Sequence, residues 1–128
     1  MKYTESLKKN IDFQIVYNYG KSYANKYLVL YIIKNNNIRE LNIRKSNKLV
    51  LNDENNNLGI SVSKKVGNSI VRHRITRLIR ESFRLNEENI KRGYSFIFIA
   101  RPNVKGKSYF EVESALLHLL GLSKGLNN

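Results

Sequence analysis

Hydrophobic and polar residues recur along this chain with two periods, one typical of helices and one typical of strands. The helical period, about 100° per residue, is clearest after Ile70, where apolar residues share one arc of the projected helix. That arc contains Val71, Ile75, Leu78, Ile79 and Phe83. The opposite arc is basic and contains His73, Arg74, Arg77, Arg80 and Arg84, with Arg72 at the boundary. The pattern predicts an amphipathic helix, N-capped by Asn68, with one buried side and one basic, exposed side.

The rest of the chain divides into shorter predicted elements. Three further helices are predicted, at residues 10–19, 87–92 and 108–120. The first is closed by Gly20, which suits the position after a helix, and the last begins with a capping box of Ser108 and Glu111. Strands are predicted where β-branched and aromatic residues cluster, at 27–34, 59–64 and 95–100. The order α-β-β-α-(α)-β-α predicts an α/β fold, with helices packed mainly on one side of a sheet.

A single domain spanning residues 1–128 is expected from the length and from the hydrophobic content of 41%. Residues 35–57 are polar and rich in Asn, and they form a predicted insertion between the first and second core strands. Within this insertion, residues 41–44 and 48–51 could pair as a hairpin around 45–47. No internal repeat or linker indicates a second domain.

The charge of the chain narrows the choice of partner. There are 23 Lys and Arg residues against 10 Asp and Glu, a net charge of +13, and such a field attracts nucleic acid or an anionic membrane surface. No apolar run approaches the roughly 18 residues that span a bilayer, and no secretory signal or cysteine points to export. We therefore expect a cytoplasmic protein that binds a polyanion, with no membrane partner.

The basic helix is rich in arginine, which suits planar, bidentate recognition of phosphate. The alternative is a solvated charged face, but such faces usually mix charges of both signs. Here Glu81 is the only acid in the stretch. The sequence therefore favours a phosphate-binding surface.

Aromatic residues near the N-terminus suggest a second surface. On the first predicted helix, Phe13 and Tyr17 lie opposite an arc of Ile11, Ile15 and Tyr19. On the strand that follows, every second residue is expected on the same face of the sheet, and one face carries Tyr27, Val29 and Tyr31. Facing aromatic surfaces could stack unpaired bases, a contact that tolerates any base. From spacing alone, the same rings could equally well belong to the hydrophobic core.

The sequence contains no convincing catalytic set. Metal-dependent nucleases need converging carboxylates, but the ten acids are scattered, and a metal-free nuclease would need paired histidines. Of the two histidines, His73 lies among arginines and His118 lies in an apolar run, where a core or edge position is expected. The stretch KKVGNS is too short for a phosphate-binding P-loop. We therefore expect no catalytic and no metal-binding residue in this chain, with the chemistry supplied by a partner RNA.

The stretch GISVSKKVGNSIVRHRITRLIRESFR, residues 59–84, resembles the signature of the bacterial ribonuclease P protein component, a strand followed by SKKxGNAVxRNRxKRxxRE. Residues 7–31 and 94–102 resemble other parts of the same family, so the resemblance covers about four-fifths of the chain. It implies a ribosomal-protein-like α/β sandwich with a left-handed βαβ crossover, against the usual right-handed rule. It also implies two RNA partners, the catalytic ribonuclease P RNA and the precursor tRNA whose 5′ leader that RNA removes. Mg²⁺ would be held mainly by the RNA, none by the protein alone, and no obligate protein partner is implied.

The resemblance assigns roles to individual residues. Those implied to bind the catalytic RNA are Lys64, Lys65, Asn68, Arg72, His73, Arg74, Arg77 and Arg80. Those implied to bind the leader are Lys9, Phe13, Tyr17, Val29 and Tyr31. The chain departs from the family pattern at His73, usually Asn, and at Thr76, usually Lys. Two alternatives remain, a ribosomal or general double-stranded RNA binder that uses the basic helix alone, and a protein-only nuclease.

Overall fold

The computed structural model describes residues 1–41 and 49–127, and in them a five-stranded sheet lies between two layers of helices. The strands are β1 (Thr4–Ser6), β2 (Lys21–Ala24), β3 (Leu28–Lys34), β4 (Asn56–Ser61) and β5 (Tyr94–Ala100). The helices are α1 (Asn10–Tyr19), α2 (Asn35–Glu40), α3 (Ser69–Leu85) and α4 (Tyr109–Leu122). Two 3₁₀ turns, Glu87–Asn89 and Pro102–Val104, complete the described part.

The strands lie in the order β1-β4-β5-β3-β2. Strand β4 is parallel to both β1 and β5, whereas β3 is antiparallel to both β5 and β2. The helix α3 connects the neighbouring parallel strands β4 and β5, so β4–α3–β5 is the βαβ unit that the resemblance describes. The left-handed crossover of that unit stays a prediction.

Two hydrophobic cores lie on opposite faces of the sheet. Under α3 and α4, the Phe83 ring packs edge-on against Phe96 and Phe98, at centroid distances of 5.4 and 6.3 Å. Under α1 and α2, the core consists of Ile15, Val16, Ile33, Ile38 and Ile97. The prediction that helices pack mainly on one side is therefore wrong. Both faces of the central strand β5 are covered, which is why its sequence SFIFIA is nearly continuous in apolar residues.

Helix α1 has the predicted bounds, but Gly20 does not adopt the left-handed conformation typical of glycine after a helix. Its φ is −81° and its ψ is 160°. A Cβ at this position would lie 2.6 Å from the Val16 carbonyl oxygen, so close approach of the backbone explains the glycine. The predicted capping box of α4 is confirmed, since Ser108 and Glu111 each accept the other's backbone N–H.

The structure differs most from the prediction in the Asn-rich segment, residues 35–57. It begins with α2, and strand β4 starts at Asn56, three residues before the predicted 59–64. Buried side chains explain this early start, because Asn57 Nδ2 donates to Ser95 Oγ at 3.0 Å and Ser95 Oγ donates to Asn35 Oδ1 at 2.7 Å. The possible hairpin of 41–44 and 48–51 falls mostly on residues outside those described. Only a 3₁₀ turn occupies the predicted helix 87–92.

The short strands β1 and β2 were not predicted, because they are polar and lie at the two edges of the sheet. The first is fixed by Glu87, whose carboxylate accepts the Lys2 N–H at 2.9 Å and the Thr4 hydroxyl at 2.6 Å. Contacts between residues more than 80 positions apart leave no local pattern. None of the helices in the described ranges is long and apolar enough to cross a membrane.

Candidate nucleic-acid interface

The predicted amphipathic helix is confirmed as α3. Its apolar side is buried in the core, with Ile75, Ile79 and Phe83 completely inaccessible to solvent. The Asn68 side chain caps the helix by accepting the Val71 backbone N–H at 3.0 Å. On the other side lie the exposed residues that we call the basic row, namely His73, Arg74, Arg77 and Arg80.

The arginines of α3 differ in whether their guanidinium groups form ion pairs or hydrogen bonds within the protein. Arg84 forms an ion pair with Glu81, which holds the pKa of that carboxyl below its usual range. Arg74 donates from Nη2 to the Lys107 carbonyl oxygen at 3.0 Å, so it also fastens the loop before α4. Arg74 therefore has a contact within the fold as well as an exposed charge. For Arg77 and Arg80, the structure records no ion pair or hydrogen bond to any described side chain.

The boundary residue Arg72 is half-buried, and its Nε is fully shielded from solvent. Its carbonyl oxygen accepts the Thr76 hydroxyl at 2.9 Å. At the position where the family pattern has Lys, this chain thus has Thr76, whose hydroxyl is hydrogen-bonded to the backbone of its own helix. The lysines Lys64 and Lys65 are exposed in the loop between β4 and α3, so they extend the basic row towards the sheet.

The cap at Asn68 gives a prediction that separates folding from binding. Asn68→Ala should lower the free energy of unfolding by about 1 kcal/mol, because a helix N–H loses its acceptor. Asn68→Asp should keep the cap and the stability, but its negative charge near Lys64 and Lys65 should weaken the polyanion binding expected of this surface. Thermal unfolding and RNA titration of both variants check this. An Ala variant as stable as the parent, or an Asp variant with unchanged RNA affinity, would contradict it.

The aromatic residues of α1 and β3 form one cluster, which we call the aromatic platform. The Tyr17 ring lies 5.0 Å from Tyr31 and 6.2 Å from Phe13, between centroids. The Phe13 ring lies against strand β4, where a Cβ on Gly59 would come within 2.8 Å of it. All three rings are half-buried, so they contribute to the core and still present some surface to a ligand.

The aromatic platform includes one polar contact, between Tyr17 and Ser61. The Tyr17 hydroxyl is hydrogen-bonded to the Ser61 side chain, and burial raises the pKa of Tyr17 above its ordinary value. Ser61 pairs with Ile99, and Ile99 pairs with Val29, so these residues form a half-buried row across three strands. The sequence did not single out Ser61 or Ile99, although their alternation in GISVS and SFIFIA places them on this face.

Two further residues, Lys9 and Tyr27, were predicted near this surface, and the structure places only Lys9 there. Lys9 is exposed just before α1, where its carbonyl oxygen accepts the Phe13 N–H at 3.2 Å. Tyr27 does not share the face of Val29 and Tyr31, because β3 begins at Leu28 and the alternation does not extend to the preceding residue. Its ring packs against the core under α3 and α4 instead.

The two surfaces lie on opposite faces of the sheet. The basic row belongs to α3 on one face, and the aromatic platform belongs to α1 and the other face. They approach each other at the carboxyl end of β4, where Ser61 is followed within three residues by Lys64. This arrangement can bind two separate stretches of a polyanion.

The remaining polar residues in the described part of the chain form small hydrogen-bonded groups. There, no three His, Asp or Glu residues are grouped closely enough to hold a metal ion. His118 is exposed rather than in the core, and its Nδ1 lies 3.2 Å from Asn25 Nδ2. Glu113 accepts hydrogen bonds from the Tyr109 hydroxyl and from Asn86 Nδ2, which joins α3 to α4.

Comparison with known proteins agrees with this geometry. Residues 1–123 match the model of the family described as Ribonuclease P. The chain belongs to the ribonuclease P protein family. It is 53% identical over 121 residues to the ribonuclease P protein component of Lachnoclostridium phytofermentans, covering 94% of this chain and 90% of that one. Its identity to the component of Clostridium novyi is 49% over 120 residues, 94% of each chain.

Solved ribonuclease P proteins have the same fold. The Staphylococcus aureus protein superposes with a TM-score of 0.77 at 35% identity, over 95% of this chain and 97% of the other. The Thermotoga maritima protein gives a TM-score of 0.72 at 29% identity, over 91% and 94%. The resemblance found in the signature residues is therefore confirmed, together with the α/β sandwich of the ribonuclease P protein family.

Proposed function

We propose that this chain is the RNA-binding subunit of a ribonuclease P holoenzyme and that the basic row, with Lys64, Lys65 and Arg72, binds phosphates of the RNA subunit. The observation that carries the proposal is the state of Arg77 and Arg80, exposed on a helix whose other side is completely buried. Guanidinium groups that have no ion pair or hydrogen bond in the described part of the chain are available for bidentate contacts with phosphate. Asn68 and His73 would add further hydrogen-bond donors at the same surface.

We further propose that the aromatic platform, with Lys9 and Val29, binds the unpaired 5′ leader of precursor tRNA. Half-buried rings offer stacking surface at little cost in conformational entropy, and stacking does not require a particular leader sequence. Binding of the leader would raise the affinity for substrate and, indirectly, the affinity for catalytic Mg²⁺. That ion would be held mainly by the RNA subunit, because the described residues offer it no cluster of carboxylate or imidazole ligands. Under this proposal the complex needs no other protein and works in the cytoplasm.

Reconstitution tests the proposal. At low Mg²⁺, the refolded chain should stimulate cleavage of a 5′-labelled precursor tRNA by the cognate RNA subunit, and the chain alone should release no leader at any Mg²⁺ concentration. The reason under this proposal is that the described residues contribute binding surface, whereas the RNA subunit supplies the catalytic groups. Gel analysis of the labelled 5′ product measures both arms.

The alternatives give different results in the same experiment. A ribosomal or general double-stranded RNA binder would bind the RNA but would not stimulate cleavage. A protein-only nuclease would release the leader without the RNA subunit. Protein purified under denaturing conditions and then refolded excludes a contaminating nuclease as the source of activity.

A further inference from the structure

A groove outside both surfaces lies between the β2–β3 turn and the first turns of α4, with a volume of about 660 Å³. We call it the α4 groove and define it by Asn25, Lys26, Tyr27, Phe110, Glu111 and His118. Its size falls within the roughly 300–1,000 Å³ of small-ligand sites. Phe110 stands out because 76% of it is exposed, the largest exposed fraction of any aromatic residue in the described part of the chain. One contact of its ring is with Tyr109, edge to face at 5.5 Å.

Two ammonium groups are held over a single ring beside Phe110. Lys26 Nζ lies 4.9 Å from the Tyr27 ring centroid, and Lys107 Nζ lies 5.5 Å from the same centroid. Cation–π attraction positions these flexible side chains. Tyr27 therefore orients the two cations, whereas Phe110 offers an exposed ring for stacking.

The hydrogen bonds of Asn25 define the role of His118. Asn25 Oδ1 accepts the backbone N–H groups of Tyr27 at 3.1 Å and of Leu28 at 2.9 Å. Its Nδ2 therefore donates to the Ala115 carbonyl oxygen at 2.9 Å and faces His118 Nδ1 at 3.2 Å. Because Asn25 Nδ2 donates, His118 accepts at Nδ1 and carries a proton on Nε2. The exposed imidazole can then donate one hydrogen bond to a ligand.

Glu111 is the one acid that lines the α4 groove, and it already has a structural role. Its carboxylate accepts the Ser108 backbone N–H at 3.1 Å in the capping box. That hydrogen bond, and to a smaller extent the charges of Lys107 and Lys26, hold the pKa of Glu111 below its usual value. The groove thus offers one cation, one carboxylate, one imidazole donor and one exposed aromatic ring, and the second cation, Lys107, lies beside it over the Tyr27 ring. These are the groups that bind an unpaired nucleotide.

We propose that the α4 groove binds an unpaired nucleotide of the RNA subunit, with its base stacked on Phe110 and its phosphate held by Lys26 and Lys107. The inference rests on the proposed function. The RNA subunit is favoured over the leader because the groove continues the basic row, through the hydrogen bond from Arg74 to the Lys107 carbonyl oxygen. Helices α3 and α4 also share one face of the sheet, whereas the aromatic platform lies on the other.

A fluorescence experiment tests stacking directly, because the chain contains no tryptophan. In Phe110→Trp, the indole should be quenched when the RNA subunit is added to one equivalent, since a stacked base quenches indole emission. Leu122→Trp is the matched control, because Leu122 is also an exposed apolar residue of α4 but does not line the groove. Its emission should not change.

Affinity measurements complete the test. Phe110→Ala should weaken binding of the labelled RNA subunit by roughly 5- to 150-fold, whereas Leu122→Ala should not weaken it. The double variant Lys26→Ala, Lys107→Ala should reduce the slope of log K against log salt by about 0.7–0.9 per lost phosphate contact. Melting temperatures of the Phe110 variants should match the parent, since that side chain is exposed.

Three outcomes would overturn the proposal. Normal RNA binding without quenching in Phe110→Trp would show that RNA does not cover the groove. Quenching only after precursor tRNA joins the complex would assign the groove to the substrate. A change in emission with protein concentration, in the absence of RNA, would assign it to a second copy of the chain. If RNA binding by the parent were absent or insensitive to the basic row, the proposed function itself would fail, which is a different result.

Discussion

Replacing Arg77 and Arg80 together with alanine is expected to weaken assembly with the RNA subunit by about 1.5–3 kcal/mol per arginine, the usual size of a hydrogen bond to a charged group. The slope of log K against log salt should flatten by about 0.7–0.9 for each lost phosphate contact. The melting temperature should hardly change, because both side chains are exposed and make no recorded hydrogen bond or ion pair with described residues. Filter binding at several salt concentrations and thermal unfolding provide these measurements.

The double variant Glu81→Ala, Arg84→Ala is the matched control on the same helix. It removes an exposed ion pair whose charges cancel, so it should change neither the affinity nor the salt slope appreciably. Arg74→Ala should combine both effects, since it removes a cation and also the hydrogen bond to the Lys107 carbonyl oxygen. A double variant at Arg77 and Arg80 with an unchanged salt slope would mean that the basic row does not contact the RNA backbone.

The sequence predicts α3 and α4 well because their signals are local. The apolar period of α3 and the side-chain caps at Asn68 and Ser108 lie within a few residues of the groups they satisfy. The same locality explains why the basic row could be named before the structure. Its members share an arc of one helix, and the burial of Ile75 and Ile79 decides which arc faces solvent.

Features that depend on distant residues could not be predicted in this way. The early start of β4 follows from Asn57 bonding to Ser95, 38 positions away. The second layer of helices follows from α1 and α2 packing against strands that α3 and α4 already cover on the other face. A strand pattern without clear alternation, as in SFIFIA, indicates burial on both faces. It does not show which helices pack against the second face of the strand.

The aromatic platform was predicted in outline and is corrected in detail. The alternation rule placed Tyr27 with Val29 and Tyr31, but a side chain outside the hydrogen-bonded strand need not follow that rule. The sequence also left open whether the rings were core or binding surface. The structure makes them half-buried, so the two roles coexist, and variants must separate the loss of stacking from the loss of packing.

Tyr17→Ala is expected to weaken binding of precursor tRNA to the holoenzyme by about 1–3 kcal/mol, the cost of one lost base-stacking contact. Binding of mature tRNA, which has no leader, should be unchanged. Tyr17 contacts both Phe13 and Tyr31, and its hydroxyl bonds to Ser61, so truncation will also lower the stability of the chain. Comparing the two substrates on one assembled holoenzyme removes this contribution, because the folding cost is common to both titrations.

The variant Tyr17→Phe separates the contribution of the ring from that of the hydroxyl. Tyr17→Phe keeps the ring and loses only the hydroxyl, so it should bind precursor tRNA nearly as well as the parent if stacking is the main contact. Assembly with the RNA subunit should be normal in both Tyr17 variants, whereas the double variant at Arg77 and Arg80 should lose assembly first, because the two surfaces lie on opposite faces of the sheet. Equal losses for precursor and mature tRNA in Tyr17→Ala would show that the ring only supports the fold. The aromatic platform would then have no role in leader binding.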